Sequence, residues 1–140
     1  MKFRDDYYFL SNMYPCNIRV KINGELMTFR CAESAFQACK DPAAASSFVP
    51  LNGFDAKKLG KRVRLRPDWS TIRVTVMRNV VRAKFTQNPE LANKLLATGS
   101  TYLVEDNEWG DKYWGMYRGQ GENMLGKILM ETREGPRYSN

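Results

Sequence analysis

Three polar side chains at helical spacing, Glu33, Gln37 and Lys40, are the first candidates for chemistry in this sequence. At about 100° per residue, Gln37 lies about 40° from Glu33 around a helix, and Lys40 lies about 20° from it on the other side. A carboxylate, an amide and an amine then share one narrow stripe. Two interpretations remain open: a solvated stripe with a weak ion pair, or three functional groups that face one pocket.

A second candidate is the run from Glu105 to Gly115, in which four carboxylates lie beside three aromatic rings. The run has no regular periodicity, which predicts a loop. Aromatic rings in a loop are costly to leave in water, and planar ligands stack on them. The alternative is that the rings fill the core while the acids remain in solvent.

Two further stretches have anion-binding potential. Gly119–Gly126 is a glycine-rich approach to a predicted helix, where free N–H groups could hold phosphate. Its spacing does not fit a dinucleotide-binding fingerprint, and a tight turn is the alternative. Lys57–Arg66 is a basic run that could follow a phosphate backbone or simply form a solvated face.

The composition excludes several classes of site. The chain of 140 residues contains no histidine, so Ser-His-Asp catalysis, Cys-His catalysis and His-based metal sites are excluded within it. The three cysteines form no CxxC pair, which is typical of free thiols in a reducing compartment. The net charge of +7 favours phosphorylated ligands or nucleic acid. We expect no metal ion and no cofactor.

The elements that must position these residues indicate one domain over residues 1–140 of the α+β class, rich in helix with a few short antiparallel strands. Alternating residues that run into Asn23-Gly24 and a second apolar stretch predict a β-hairpin. Helices are predicted to begin near Glu33, Asp55, Asp68, Asn88 and Met124. Further strands are predicted at Arg62–Arg66 and Thr101–Val104.

No apolar run is long enough to span a bilayer, and the N-terminal residues lack the apolar core of a signal peptide. We therefore expect a cytoplasmic protein that does not associate with a membrane. The sequence leaves its oligomeric state open.

Three motifs, in chain order, resemble those of the NADAR family, also called YbiA-like. Phe9–Pro15 looks like the opening F-x-S-N-F motif, and Glu33–Lys40 matches the helix motif E-x-x-F-Q-x-x-K. Asp111–Arg133 is similar to the closing block D-x-x-W-G … G-x-N-x-L-G-x-x-L-M-x-x-R. Between them, Lys84-Phe85 stands where the family's middle helix has a Lys-Phe pair. One departure is Ser34, which occupies a position where the family usually has His. A second is Met116–Arg118, which replaces small residues and affects the rim of the site.

The resemblance implies hydrolysis of the N-glycosidic bond of a ribosylated base, most directly the removal of ADP-ribose from guanine in DNA or RNA. In a mechanism that fits these residues, Glu33 supplies the carboxylate that an oxocarbenium-like state needs, and Asp111 is a second acid. Lys40 either attacks C1 as an amine or holds a phosphate. The substrate-binding residues so implied are Ser11, Asn12, Arg30, Phe36, Gln37, Tyr113, Trp114, Gly115, Arg118, Gly121 and Asn123.

Within that set, we expect Asn12, Gln37 and Asn123 to bind ribose hydroxyls, and Tyr113 and Trp114 to stack on a base. Arg30 and Arg118 are candidates for phosphate. Two alternatives stay open. One is an N-glycosidase that acts on phosphoribosylamino-pyrimidine intermediates of riboflavin synthesis, and the other is a non-catalytic module that binds ADP-ribose or nucleic acid.

Overall fold

A β-hairpin with helices packed around it forms residues 12–89, one of two units into which the chain divides. The computed structural model describes residues 2–138. Strands β1 (Ile18–Ile22) and β2 (Glu25–Phe29) pair antiparallel. Asn23 and Gly24 join them with φ of 50° and 78°, the positive values that a tight hairpin turn requires. The predicted hairpin is confirmed.

Three α-helices belong to this unit. They are α1 (Ala32–Ala38), α2 (Gly53–Gly60) and α3 (Trp69–Gln87), and a 3-10 helix (Pro42–Phe48) lies between the first two. The cap of α2 differs from the prediction. Asn52, not Asp55, is the N-cap, because the Asn52 side-chain oxygen accepts a hydrogen bond of 2.8 Å from the backbone N–H of Asp55.

The core of this unit lies between the hairpin and the alanine face of α1. Ala32, Ala35 and Ala38 are fully buried against residues such as Ile18 and Phe29. Because alanine side chains are short, the backbone of α1 approaches its neighbours closely. Helical geometry places Glu33 and Gln37 on the opposite side, and Lys40 lies in the turn after the helix.

The other unit combines the residues before 12 with those from 90 onward. It contains a 3-10 helix (Asp5–Leu10), helix α4 (Pro89–Ala97, which starts at the unit boundary), and helix α5 (Met124–Tyr138). Strands β3 (Asp106–Asn107) and β4 (Met116–Tyr117) form a parallel pair of two residues each.

Both additional strand predictions are wrong, because other groups satisfy the backbone there. In the Arg62–Arg66 segment, the N–H of Arg64 bonds to the Asp41 carboxylate and the N–H of Arg66 bonds to the carbonyl of Lys40. In Thr101–Val104, the carbonyl of Leu103 accepts a hydrogen bond from the Asn123 side chain. Alternation of residue types cannot reveal such partners, which come from distant parts of the sequence.

Helices predominate over short strands, in agreement with the predicted α+β class. Over residues 2–138, no helix combines the length and the apolar character that crossing a bilayer would demand. The expectation of a single domain over residues 1–140 stays a prediction.

Candidate active site

Helix α1 carries Glu33 and Gln37 one turn apart, as their spacing predicts, but the helix ends at Ala38, so Lys40 lies in the turn that follows it. Gln37 is only 5% exposed, and its Nε2 donates a hydrogen bond of 2.8 Å to Oε2 of Glu33. Glu33 and Lys40 are half-buried. Burial of the central amide distinguishes this arrangement from a solvated stripe on a surface helix.

Helix α2 fixes the position of the Gln37 side chain. A Cβ atom built on Gly60 would lie 1.9 Å from Oε1 of Gln37, far inside van der Waals contact. Gly60 is therefore required by the close approach of the amide. Oε1 of Gln37 is buried without a hydrogen-bond partner, and such an acceptor is unusual in a folded protein. Gln37 is thus held between Gly60 and the Glu33 carboxylate.

The protein around Lys40 favours the neutral form of its amine, compared with a lysine in bulk water. Burial lowers the pKa of Lys40 below its ordinary value, against the opposing effect of Glu33, which raises it. The positive charges of Lys57 and Lys61 lower the pKa further. An amine needs a lowered pKa to act as a nucleophile near neutral pH.

Asn12 lies in the same unit as α1, Phe36 lies on that helix, and both side chains are buried. The backbone carbonyl of Asn12 accepts a hydrogen bond of 2.9 Å from the N–H of Glu33, so the opening motif is attached to the start of α1. The Asn12 amide also donates to the sulfur of Met77 at 3.4 Å. The Phe36 ring packs on Trp69 with 5.1 Å between centroids.

Arg30 and Ser34 have structural contacts. Arg30 is exposed and donates a hydrogen bond of 2.8 Å to the carbonyl of Pro50. Ser34 is fully buried, and its hydroxyl lies 2.7 Å from the carbonyl oxygen of Leu51. At the position where the family usually has His, this chain therefore has a small residue that joins α1 to the neighbouring loop.

Asp111 organises the acid-aromatic loop of the other unit. Its Oδ1 accepts hydrogen bonds of 2.9 Å from the backbone N–H groups of both Tyr113 and Trp114. Asn107 supports it, because the Asn107 amide bonds to the backbone N–H and the carbonyl of Asp111. The rings of Tyr113 and Trp114 are half-buried and meet edge to face, with 4.9 Å between centroids.

The loop is held together by close backbone approaches at Gly115 and Gly121 and by hydrogen bonds of Asn123. A Cβ on Gly115 would lie 2.0 Å from Oε2 of Glu105, and one on Gly121 would lie 2.5 Å from the carbonyl oxygen of Gly115. Asn123 is buried, and its amide joins the backbone of Leu103 and Glu105. Hydrogen bonding of ribose by Asn123 stays a prediction, and it would use the remaining amide proton or lone pair.

The start of α5 supports the tight-turn interpretation of the glycine-rich stretch. The backbone N–H groups of residues 122–125 donate to the carbonyls of residues 112, 115, 113 and 114, respectively. Groups that could have held phosphate therefore bond to the loop instead. Arg118 is exposed, has a positive φ of 51°, and places its guanidinium 5.1 Å from the centroid of the Tyr117 ring.

Ser11 borders a cleft of about 170 Å³ in this same unit. Its lining includes Lys2, Arg4, Glu105 and Trp109. Glu105 is not among the predicted site residues. Its contact with Gly115 nevertheless places this carboxylate beside the Trp-Gly motif. Over residues 2–138, no group of three or more Cys, Asp and Glu side chains is arranged to hold a metal ion.

Lys84 is a second residue to which the sequence prediction gave no role. It is 1% exposed, and burial lowers its pKa to about 8, against the smaller opposing effect of Cys16 and Cys31, which raises it. Its Nζ lies 5.2 Å from the centroid of the Phe85 ring and 5.8 Å from that of Tyr14. The available signal was the Lys-Phe pair in a helix that otherwise buries apolar residues.

The predicted site residues fall into two groups. The unit of residues 12–89 contains Asn12, Arg30, Glu33, Phe36, Gln37 and Lys40, and the other unit contains Ser11 and the predicted residues of the run Asp111–Asn123. Within each unit the structure brings neighbouring motif residues into contact. That residues of both groups act on one substrate stays a prediction.

Comparisons with known proteins agree with the motifs. The NADAR domain matches residues 1–136. The N-glycosidase YbiA of Escherichia coli K12 is 49% identical over 136 residues, which cover 93% of this chain and 82% of that protein. A riboflavin biosynthesis protein of Vibrio vulnificus is 40% identical over 136 residues, but the chain spans only 36% of its length.

The NMR structure of Escherichia coli YbiA superposes with a TM-score of 0.82 and 36% identity, covering 98% of this chain and 82% of that one. This superposition confirms the predicted fold class. The name that several relatives share confirms the predicted enzyme class, an N-glycosidase. With a family match across nearly its whole length and relatives this similar, the chain belongs to the NADAR family.

Proposed function

We propose that this enzyme removes ADP-ribose from guanine in nucleic acid by hydrolysing the bond between C1 of the ribose and the base nitrogen. The observation that carries the proposal lies at α1 and the turn after it, where a carboxylate held by a buried amide is near enough to Lys40, a lysine of lowered pKa, for its charge to act on that lysine. We also propose the cytoplasm as its compartment, since all three cysteines are thiols.

Cleavage of an N-glycosidic bond passes through a state in which positive charge develops on the ribose. Glu33 supplies the negative charge that stabilises this state. The Gln37 hydrogen bond holds the carboxylate in one orientation, so it is ready before the reaction begins. Asp111 is the proposed proton donor to the departing base nitrogen, and the two N–H groups on its Oδ1 fix its orientation.

Lys40 is the proposed nucleophile. Its neutral Nζ attacks C1 while the bond from C1 to the base nitrogen breaks, and the base leaves with a proton. The ribosyl amine loses its Nζ proton as the ring oxygen is protonated and the ring opens, which leaves a Schiff base between Nζ and C1. Water then adds to C1 of the protonated Schiff base, which releases the free sugar and the neutral amine and returns a proton to Asp111, so the sum is hydrolysis.

A second substrate class is supported by one of the relatives. The riboflavin biosynthesis protein of Vibrio vulnificus is 40% identical to this chain, which supports activity on a phosphoribosylamino-pyrimidine. The same residues would serve, because the bond that breaks is again between C1 and nitrogen. A module that binds such ligands without cleaving them is the remaining alternative.

The deciding experiment offers the enzyme both substrates and measures released sugar by mass spectrometry. We expect release from an ADP-ribosylated guanine oligonucleotide. Release of sugar only from the phosphoribosylamino-pyrimidine would show that this compound, and not the modified oligonucleotide, is the substrate. Binding of either compound without release of sugar would show that the protein is a binding module.

Borohydride reduction during turnover tests the role of Lys40. We expect a sugar adduct that peptide mapping places on Lys40 rather than Lys84, and we expect Lys40→Arg to be nearly inactive, since arginine stays protonated. An active Lys40→Arg enzyme without an adduct would mean that Lys40 only binds phosphate.

A further inference from the structure

The outer face of α2 combines lysines with an exposed aromatic ring. Relative to Gly53, helical geometry places Lys57, Lys61, Phe54 and Lys58 at about 40°, 80°, 100° and 140°, one arc of about 100°. Lys61 directly follows the last helical residue and keeps helical dihedral angles, with φ of −80° and ψ of −12°. The four side chains therefore form one surface, which we call the α2 face.

The inner side of the same helix explains why this surface points outward. Gly53, Ala56 and Gly60 are buried, and a Cβ on Gly53 would lie 2.2 Å from the sulfur of Met13. Because these small residues pack α2 onto its neighbours, the helix cannot turn to bury the ring of Phe54. That ring is 65% exposed, and Lys58 and Lys61 are exposed beside it.

The α2 face borders the candidate catalytic helix. Gly60 contacts the Gln37 side chain, and Lys57 and Lys61 are near enough to Lys40 for their charges to affect it. Negative charge on a ligand at this face would therefore lie beside the amine that the proposed mechanism uses. The only acidic residue of α2, Asp55, lies on another side, about 60° beyond Lys58.

We propose that the α2 face binds single-stranded nucleic acid, with Lys57, Lys58 and Lys61 on the phosphates and a base stacked on Phe54. Lysines that follow the backbone together with an aromatic ring that stacks on a base are the combination that binds single strands without sequence preference. A duplex does not fit, because its bases are already stacked on one another. The proposal rests on the proposed function only in that the bound strand would carry the modified guanine.

The test measures binding rather than turnover. The probe is a short, unmodified, fluorescein-labelled thymidine oligonucleotide, and anisotropy gives its affinity between about 50 and 200 mM salt. Three phosphate contacts predict a slope of about −2 for log affinity against log salt, since each contributes about −0.7 on a single strand. Equal affinity for a duplex of the same length would overturn the single-strand assignment.

Two variants separate charge from stacking. Lys58→Gln with Lys61→Gln should reduce the magnitude of the slope by about 1.4. Phe54→Ala should weaken binding about tenfold and leave the slope unchanged, because stacking releases no counterions. All three side chains are exposed or lie at the helix end, and thermal unfolding checks that each variant folds.

Matched controls remove the same groups elsewhere. Lys21→Gln with Lys127→Gln makes the same change in net charge at two exposed lysines, and Tyr102→Ala removes a ring that is 62% exposed. We expect both controls to bind like the wild type. Equal losses of affinity in the control variants would mean that net charge or non-specific contacts cause the binding. The α2 face would then not be the binding site.

Competition separates a strand from a small nucleotide. If ADP displaces the oligonucleotide at equal phosphate concentration, the surface binds a free nucleotide and the proposal fails. Binding to vesicles of phosphatidylserine in place of the oligonucleotide would also overturn it. An enzyme that shows no N-glycosidase activity on nucleic acid, but binds the strand through the α2 face, would refute the proposed function alone.

Discussion

The cost of burying Lys84 predicts a specific dependence of stability on pH. Burial lowers the pKa of Lys84 from 10.5 to about 8, so the folded state releases a proton that the unfolded chain keeps between these values. Stability rises with pH wherever the unfolded state binds more protons. The contribution of Lys84 is therefore fully present above about pH 10.5 and is lost as the pH falls through about 8.

The magnitude follows from the size of the shift. A difference of about 2.5 pKa units corresponds to about 3 kcal/mol at about 1.4 kcal/mol per unit. Lys84→Met keeps the length of the side chain and removes the titration. The difference in free energy of unfolding between wild type and Lys84→Met should therefore shift by about 2–3 kcal/mol in favour of the wild type from pH 7 to pH 10.

Urea denaturation of both proteins at each pH measures this difference, and the other titrating groups cancel in the subtraction. A difference that stays flat between pH 7 and pH 10 would refute the reasoning. It would mean that Lys84 is as well solvated in the folded protein as in the unfolded chain.

Substitutions at three positions of the candidate site have distinct expected outcomes. Glu33→Gln should reduce turnover about a hundredfold or more with little change in melting temperature, since the replacement can still accept the Gln37 hydrogen bond. Gly60→Ala should lower both the stability and the turnover of the enzyme, because the Gln37 amide must move. Gly135→Ala is the control, since its Cβ would meet nothing within 4 Å. In thermal unfolding this control should be neutral or slightly stabilising. Asp111→Ala should lower the free energy of unfolding by about 1–3 kcal/mol, while Asp111→Asn keeps an acceptor for the loop and should lose only turnover in the substrate assay. Wild-type turnover of Glu33→Gln or Asp111→Asn would remove that residue from the mechanism.

Elements specified by nearby residues were predictable from the sequence. Asn23-Gly24 predicts the hairpin because both residues tolerate positive φ, and Asn88-Pro89 predicts the start of α4 because proline is favoured in the first turn. The alternation in Arg62–Arg66 predicts a strand that does not form, because the backbone partners of this segment, Asp41 and Lys40, lie more than twenty residues away in the sequence. Periodicity carries no information about such partners.

In the candidate site, too, some features follow from nearby residues and others depend on residues far away in the sequence. Helical spacing predicts that Glu33 and Gln37 lie one turn apart, and the hydrogen bond between their side chains agrees with this. The same spacing predicts a helix as far as Lys40, whereas α1 ends at Ala38. Burial of Gln37 depends on the missing side chain of Gly60 on another helix, so no local pattern reveals it. Burial of Lys84 is equally invisible, because a lysine at that helical position would ordinarily extend its ammonium group into solvent.

The confinement of Gln37 between Glu33 and Gly60 also bears on where conformational entropy is lost. Fixing a glutamine side chain costs up to about 2 kcal/mol of rotamer freedom, and here that loss occurs when α1 and α2 pack during folding. A ligand that meets Glu33 encounters a carboxylate that is already ordered, so it bears none of this entropic cost. Loosening the packing of α1 on α2 would transfer part of this cost from folding to the reaction, where it would lower kcat/KM.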